Sequence, residues 1–447
     1  MAVVPEHSTE AVAGGNSPPA SPVGQPPPDA PNLGRTVRVV GTVIPVHTSQ
    51  LPHPKNQRGE LGKALFNWYH NTVSKDPLTR VSAPNHFADR RHFLTAVLGQ
   101  APKGEVNPTR QPVPDPAAMT RHIKRVGRYM GADIVRIARA HPAFMYAGNR
   151  YAQDIQTNDA YEDLSPEELC RRFPYVIVAT TAWDYDKIQA HRHHIGDAAY
   201  HVSQMRANVI LKNLEGYVRE LGYTAIRGAV NPQGAGLAAG VGELGRNGMV
   251  ISERYGARIH MPDPIMTDLP LLPDAPIDIG VEEFCKVCRK CAITCPTNSI
   301  TFDDKVVHNG IQKYKIKWET CYRLRPFVSD HWGSCLTCVT VCPYTKPNVW
   351  WRTLAVRALS ACPIPARPPL VRALKWIDDR FWGVVPQKRV RWMGYDSGIK
   401  PGEKACTVAG CTAAHAEAGQ SVKVEGNVGY YAPLKENTNR FVKREAH

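Results

Sequence analysis

Long apolar runs are missing from this 447-residue chain. The longest, such as Val176–Ala179, fall far short of the ~18 residues that cross a bilayer, so no transmembrane helix is read. A positively charged start followed by an apolar core is also missing. No Sec or Tat leader is therefore expected, and the expected location is cytoplasmic. Asp89-Arg90-Arg91-His92-Phe93-Leu94 resembles a twin-arginine signal, but it sits deep in the chain, and Gly99, Pro102 and Gly104 soon end the apolar stretch behind it. Twelve cysteines are too few for a disulfide scaffold of this length. Internal repeats are absent apart from the cysteine motifs themselves.

What is present is a globular composition, with 43% hydrophobic residues and a mean hydropathy of −0.34. Lys and Arg number 55 against 40 Asp and Glu, a net charge of +15. That excess suits polyanions, yet it fits any basic enzyme, so nucleic acid is not the expected partner.

Residues 1–35, dominated by Pro, Gly, Ser and Ala, are expected to form a disordered tail. Helix and strand patterns then alternate to about residue 280, an α+β arrangement in which 36–120 covers a core built by 121–280. Ser165-Pro166-Glu167-Glu168 is a helix start with a capping Ser, Pro at the first helical position and Glu three residues after the cap. Pro174–Thr180 reads as a buried strand. Val202, Met205, Val209, Leu214, Tyr217, Val218 and Leu221 recur at helical spacing, and Gly222 ends that helix. Shorter strands are expected at Thr224–Val230, Met249–Ser252 and Arg258–Met261. Residues 281–348 hold the cysteine region, and 349–447 form a C-terminal extension rich in Trp and Arg at its start.

Eight of the cysteines fall between Cys285 and Cys342. Cys285-x2-Cys288-x2-Cys291-x3-Cys295-Pro296 is the bacterial ferredoxin run, and Cys321 with Cys335-x2-Cys338-x3-Cys342-Pro343 supplies a second set. Three thiolates at i, i+3 and i+6 wrap one side of a cubane, and the fourth, before Pro, ligates the other cluster of a two-cluster ferredoxin. Cys285, Cys288, Cys291 and Cys342 are thus assigned to one [4Fe–4S] cluster, and Cys321, Cys335, Cys338 and Cys295 to the other. Structural zinc also uses Cys-x2-Cys pairs, but not this interlocked run with its Cys-Pro endings. The region is ferredoxin-like, a wire for single electrons, and something in the preceding residues gives or takes them.

Other motifs carry less. Gly240-x-Gly242-x-x-Gly245 fits the dinucleotide fingerprint as a string, but it follows helix-like sequence and turns into a strand instead of opening a helix. His191, His193 and His194 beside Arg192 read as a solvated turn. Cys406 and Cys411 lack partners, and the Trp/Arg region reads as a packed cover or an interface before it reads as a nucleobase platform.

With the paired motifs in view, the chain resembles the corrinoid-dependent reductive dehalogenases. Gly131-Ala-Asp-Ile-Val-Arg-Ile-Ala-Arg139, Arg219-Glu-Leu-Gly-Tyr223, Ala239-Gly-Val-Gly-Glu-Leu-Gly-Arg-Asn-Gly248, Thr267-Asp-Leu-Pro-Leu271, Glu283-Phe-Cys285, His308-Asn309 and Cys342-Pro-Tyr-Thr-Lys346 look like that family's segments in its order. The resemblance implies a nitroreductase-like core holding a base-off cobalamin, with a ferredoxin-like domain carrying two [4Fe–4S] clusters beside it. The lack of an Asp-x-His-x-x-Gly motif agrees with a corrinoid not held by a protein histidine. The resemblance further implies removal of halide from a small organohalide and protonation by a tyrosine. A phenol with pKa near 10 gives up its proton only beside a cation, so a cationic partner is implied. Tyr200 is the candidate donor, with Gln204 one turn on; Arg258 or His260 would stabilise the phenolate, His260 could itself donate, and Asn231 would orient substrate or polarise the halogen. Met205, His308, Trp332 and Gly333 are the positions assigned to the corrinoid. The Gly-rich stretch 239–248 would allow close backbone approach to the ring, or else serve tight packing. Electrons would come from a separate ferredoxin- or flavodoxin-type donor. Two other readings remain: a tRNA-modifying enzyme like epoxyqueuosine reductase, and a non-catalytic iron–sulfur electron-transfer subunit.

Overall fold

The computed structural model describes residues 27–62, 104–147, 164–192, 194–325, 335–383, 391–392 and 395–396. Most of the 1–35 tail, the segment at 89–94, His193, Trp332, Gly333, Cys406 and Cys411 lie outside these residues.

An antiparallel sheet lies at the centre, in the order Ile134–Arg139, Tyr175–Ala182, Ile265–Thr267, Ala225–Arg227. A fifth strand, Ile259–His260, pairs the end of the central one through Thr181 and Ala182. Side chains alternate along a strand, and here both faces are covered. Val176 and Val178 meet Phe144, Ile226, Met266 and the helix Pro232–Ala238. Ile177 and Ala179 meet Ile123, Leu211 and Leu214, which come from the helices Pro116–Tyr129 and His194–Glu220. That double burial is why the strand reads as one apolar run instead of an alternation.

Local signals end the elements where expected. The Ser165 capping box is formed in both directions with Glu168. Gly222 has φ +83°, and a Cβ there would sit 2.5 Å from the Arg110 Cα, so glycine is required by conformation and by space. The long helix departs from expectation at its start. It begins at His194, bringing Ile195, Ala198 and Ala199 into the core, with Asp197 and His201 paired one turn apart.

One expectation is corrected, and one of the two compatible readings of the glycines is borne out. His191 is not in a solvated turn: it is fully buried, its Nδ1 lies 3.0 Å from the Thr340 hydroxyl, and burial and the Arg192 charge hold it well below the usual histidine range. The cause is the cysteine segment, onto which Arg192 fastens the turn through the Cys335 carbonyl and the Thr337 hydroxyl. The glycines of 239–248 serve the protein's own packing. A Cβ on Gly240 would collide with the Ala275 carbonyl, and one on Gly242 with that of Ile251, which pairs with the next residue, Glu243, in the hairpin Glu243–Leu244/Val250–Ile251. That hairpin also rules out a strand-to-helix dinucleotide turn.

The cysteine segment is built into the sheet layers. Phe284, Cys288, Val339, Cys342 and Tyr344 share one apolar cluster with Trp183, Ile188, Ala199 and Ile251. From the other end of the chain, Arg38–Val39 adds an edge strand to the hairpin Val306–His308/Ile311–Lys313. Beyond the cysteines, helices Trp350–Ala361 and Arg367–Trp382 contribute Val356, Leu359 and Val371 to the same cluster.

Candidate functional site

The cysteines sit on short helices and the turns between them. Cys285 lies in Val281–Val287, Cys288 caps that helix, Cys291 lies in Lys290–Ile293, Cys321 in Trp318–Leu324 and Cys338 in Thr337–Thr340. Burial pushes the thiols up, Cys288 and Cys321 to about 12. Like charge on neighbouring thiols adds to this, and the neighbours sort into two sets. Cys285 and Cys288 feel Cys342, and Cys291 feels Cys285, Cys288 and Cys342. Cys321 feels Cys295 and Cys335, and Cys338 feels Cys321, Cys335 and Cys295. The sets touch where Cys338 meets Cys291 and Cys342.

Seven thiols raised in this way, Cys285, Cys288, Cys291, Cys295, Cys321, Cys338 and Cys342, become thiolates only with positive charge among them. Among the described residues, no three His, Cys, Asp or Glu side chains converge closely enough to hold one metal ion. A zinc ion needs its ligands within about 2.3 Å of it, whereas a cubane spreads its four thiolates around a larger body. Donors to sulfur are in place: the Arg246 amide lies 3.4 Å from Cys285 Sγ, and the Ser299 amide 3.3 Å from Cys295 Sγ. The donor set suits iron–sulfur clusters.

Beside this segment lies an aromatic group. Tyr200 stands edge-on to Trp183 (5.3 Å between centroids), His201 (5.0 Å) and His260 (5.5 Å). His201 reaches the buried carboxylate of Asp197 through Nε2 at 3.3 Å. Arg258 takes another position. Its guanidinium donates to the Trp183 carbonyl and lies over the rings of Tyr185 and Tyr255. Burial raises Tyr185 to about 12 and also raises Tyr255, which bonds Asp133. Both phenols therefore keep their protons at neutral pH. Of the two expected cations, the structure brings His260 to Tyr200 and engages Arg258 with the Trp183 carbonyl and the rings of Tyr185 and Tyr255.

The other expected residues are dispersed. Asn231 caps helix Pro232–Ala238, its Oδ1 accepting from the Gln233 and Gly234 amides, and its Nδ2 donates to the Tyr146 hydroxyl at 3.1 Å. Met205 is half-buried on the Tyr200 helix, Gln204 is buried, and His308 is exposed on the edge hairpin. Trp183, Asp197 and His201 were not singled out in the sequence. The i, i+4 spacing of Asp197 and His201 was the available signal, masked by the histidine-rich stretch before it.

Among the described residues, three buried polar atoms in or next to this group have no hydrogen-bond partner: Trp183 Nε1, His201 Nδ1 and Arg258 Nε. Orphaned donors and acceptors at this density are costly unless something polar meets them. A corrinoid, a broad ring rimmed with amides, has the chemistry to do so.

Residues 284–346 match the 4Fe-4S dicluster domain family. Over 267 residues the chain is 30% identical to the tetrachloroethene reductive dehalogenase of Sulfurospirillum multivorans, covering 53% of this chain and 52% of that one. It is 31% identical over 159 residues to the trichloroethene reductive dehalogenase of Dehalococcoides mccartyi, covering 34% and 28%. It also superposes with a TM-score of 0.60 and 25% identity on a solved reductive dehalogenase whose structure suggests a mechanism for B12-dependent dehalogenation, covering 76% of this chain and 47% of that one. The chain spans about half the length of the first of these relatives. No helix among the described residues is long and apolar enough to cross a membrane. Along the part that aligns and superposes, the chain is similar to reductive dehalogenases in sequence and in fold.

Proposed function

We propose that the chain is a reductive dehalogenase that replaces halide by hydrogen in a small organohalide: R–X takes two electrons and one proton and leaves as R–H and X⁻. The observation that carries this is the packing of two four-cysteine sets, one through Cys288 and Cys342 and the other through Cys338, onto the same cluster as Trp183, against which Tyr200 packs. In this reading Cys285, Cys288, Cys291 and Cys342 hold one [4Fe–4S] cluster, and Cys295, Cys321, Cys335 and Cys338 the other. Residues 121–280 form a nitroreductase-like core that takes cobalamin base-off, and 281–348 the electron wire. When bound, the cobalt supplies the low-valent centre at which the carbon–halogen bond is broken. Trp183, His201 and Arg258 would meet the ring's amides with their orphaned atoms.

The protein's own part is the proton. Tyr200 holds it at its phenol oxygen beside His260, which as an imidazolium would stabilise the phenolate left behind. His201, fixed by Asp197, is a second ring in contact with Tyr200. Trp183 closes one side of the tyrosine against water. Asn231, engaged in its cap, would act through Tyr146. Electrons would come from an external ferredoxin- or flavodoxin-type donor.

Anaerobic reconstitution with iron, sulfide and cobalamin, followed by EPR and a halide-release screen, tests the proposal. Cluster signals, a base-off Co(II) signal and released halide are expected. Clusters formed with no cobalamin uptake would leave an electron-transfer protein and overturn it. The tRNA-modifying alternative is weaker, given the short Cys321–Cys335 loop; it predicts tRNA binding that falls steeply with salt.

A further inference from the structure

The two helices beyond the cysteines turn an uncovered face outward. Trp350–Ala361 and Arg367–Trp382 are joined by a short turn, and Trp351 at the start of the first meets Trp382 at the end of the second, 5.1 Å between centroids. They therefore run antiparallel as a hairpin. Its inner face is committed. Val356, Leu359 and Val371 are buried with Val281 and Phe284, and Asp378 takes both Lys290 and Lys346. Lys375 comes near enough to Cys288 for its charge to act on that thiol.

The outer face is apolar and cationic. Trp350 is 78% exposed, Leu354 59%, Trp376 66% and Phe381 71%. Trp350, Leu354 and Arg357 recur at helical spacing on the first helix; Arg372, Trp376 and Arg380 do so on the second, and all six are exposed. The only acids on either helix, Asp378 and Asp379, are engaged by Lys290, Lys346 and Lys375. Large exposed apolar side chains gathered in one place mark an interaction surface. Aromatics ringed by arginines are the usual composition of an interface's energetic centre.

We propose that this face docks a small acidic electron-carrier protein of the ferredoxin class, an inference that rests on the cysteine sets being a redox wire. Charge identifies the occupant. The exposed charges of the hairpin are all positive, so an acidic surface is attracted and a second copy of this basic chain is repelled. Position agrees, because the helix holding Cys285 lies directly under the hairpin, with Lys375 beside Cys288. On contact, one electron leaves the reduced carrier and enters the cysteine-held centre; the carrier is oxidised by one electron, the chain is reduced by one, and no proton moves.

The test uses the full chain, reconstituted with iron and sulfide, and an oxidised plant-type [2Fe–2S] ferredoxin as probe, with binding read by calorimetry at low and high salt. Saturable binding that weakens with salt is expected, together with a loss of about tenfold or more in affinity for each of Trp376→Ala and Arg380→Glu. Iron content and circular dichroism of the variants show that they fold. Wild-type affinity in both variants overturns the proposal. So does saturable tRNA binding, or self-association seen by light scattering, that the same substitutions abolish. Binding is scored without turnover, so a chain that docks ferredoxin yet releases no halide would sink the dehalogenase reading and leave the docking face standing.

Discussion

The ring of Tyr200 stands at 80° to that of His260 with 5.5 Å between centroids, while Arg258 is tied to the Trp183 carbonyl. The imidazole, not the guanidinium, is thus the side chain placed to answer a charge on the phenol. Tyr200→Phe keeps the ring contacts and removes only the proton. Halide release should fall by about 10²–10⁴-fold, the usual loss with a general acid, while the cobalamin EPR signal stays as in the wild type. An unchanged rate would hand the proton to His260, and His260→Phe would then be the inactive variant.

The grouping of the cysteines makes a prediction that single substitutions cannot. Cys291→Ala and Cys321→Ala should each cost about half the bound iron. Cys291→Ala combined with Cys342→Ala should be no worse than either alone, since both act on one set. Cys335→Ala combined with Cys342→Ala should remove nearly all of it. Iron and sulfide analysis after anaerobic purification decides this, and half-loading of the last variant would refute the crossed assignment.

Much of this was legible in the sequence, and the gaps have physical causes. The cysteine spacings sufficed because ligation geometry is local: three positions at i, i+3 and i+6 determine one side of a cluster whatever packs around them. The Ser165 capping box and the Gly222 stop were likewise local. The start of the long helix was not, because Ala199 joins a core cluster only with residues of the distant cysteine segment, among them Cys288, Val339 and Cys342. His191 was misread for the same reason. The partner of Tyr200 depended on Arg258, one residue before the strand Ile259–His260, being drawn to the Trp183 carbonyl, a long-range contact that no spacing encodes. The glycines of 239–248 matched two explanations equally until the carbonyls of Ala275 and Ile251 came into view.

Glu243 gives the protein a pH dependence of predictable sign. Its Oε2 accepts from the Ile279 and Val281 amides at 2.7 and 3.1 Å, tying the start of the Cys285 helix to the sheet hairpin. Burial raises its pKa to about 7, those two bonds notwithstanding. In the unfolded chain it titrates near 4.3. The folded state therefore holds the proton more tightly, and this group's stabilisation is complete below about pH 4 and lost as pH rises to about 7. A shift of this size corresponds to about 3 kcal/mol. Glu243→Gln keeps an acceptor for both amides and cannot ionise. Urea midpoints from pH 4.5 to 8 should fall less steeply for the variant, which should be the more stable protein above pH 7. Parallel curves would place the titrating group elsewhere.

Gly256 is one point at which the sheet half and the cysteine half come into close contact. It has φ +60°, a Cβ there would run into the carbonyl of Tyr344, and the next residue, Ala257, donates its amide to the Thr345 hydroxyl at 3.1 Å. Two costs are mixed in Gly256→Ala, the left-handed backbone and the collision, and Gly62 separates them. Gly62 also has positive φ, at +106°, but a Cβ there meets nothing within 4 Å. Gly62→Ala should cost only the backbone term, about 1–2 kcal/mol. Gly256→Ala adds a clash against main chain that cannot swing aside, so its Tm should lie at least about 5 °C below that of Gly62→Ala. Because Tyr344 follows Cys342 by two residues, the same variant should also bind less iron. Equal Tm values and full iron loading in both would mean that the two halves do not press together at this point.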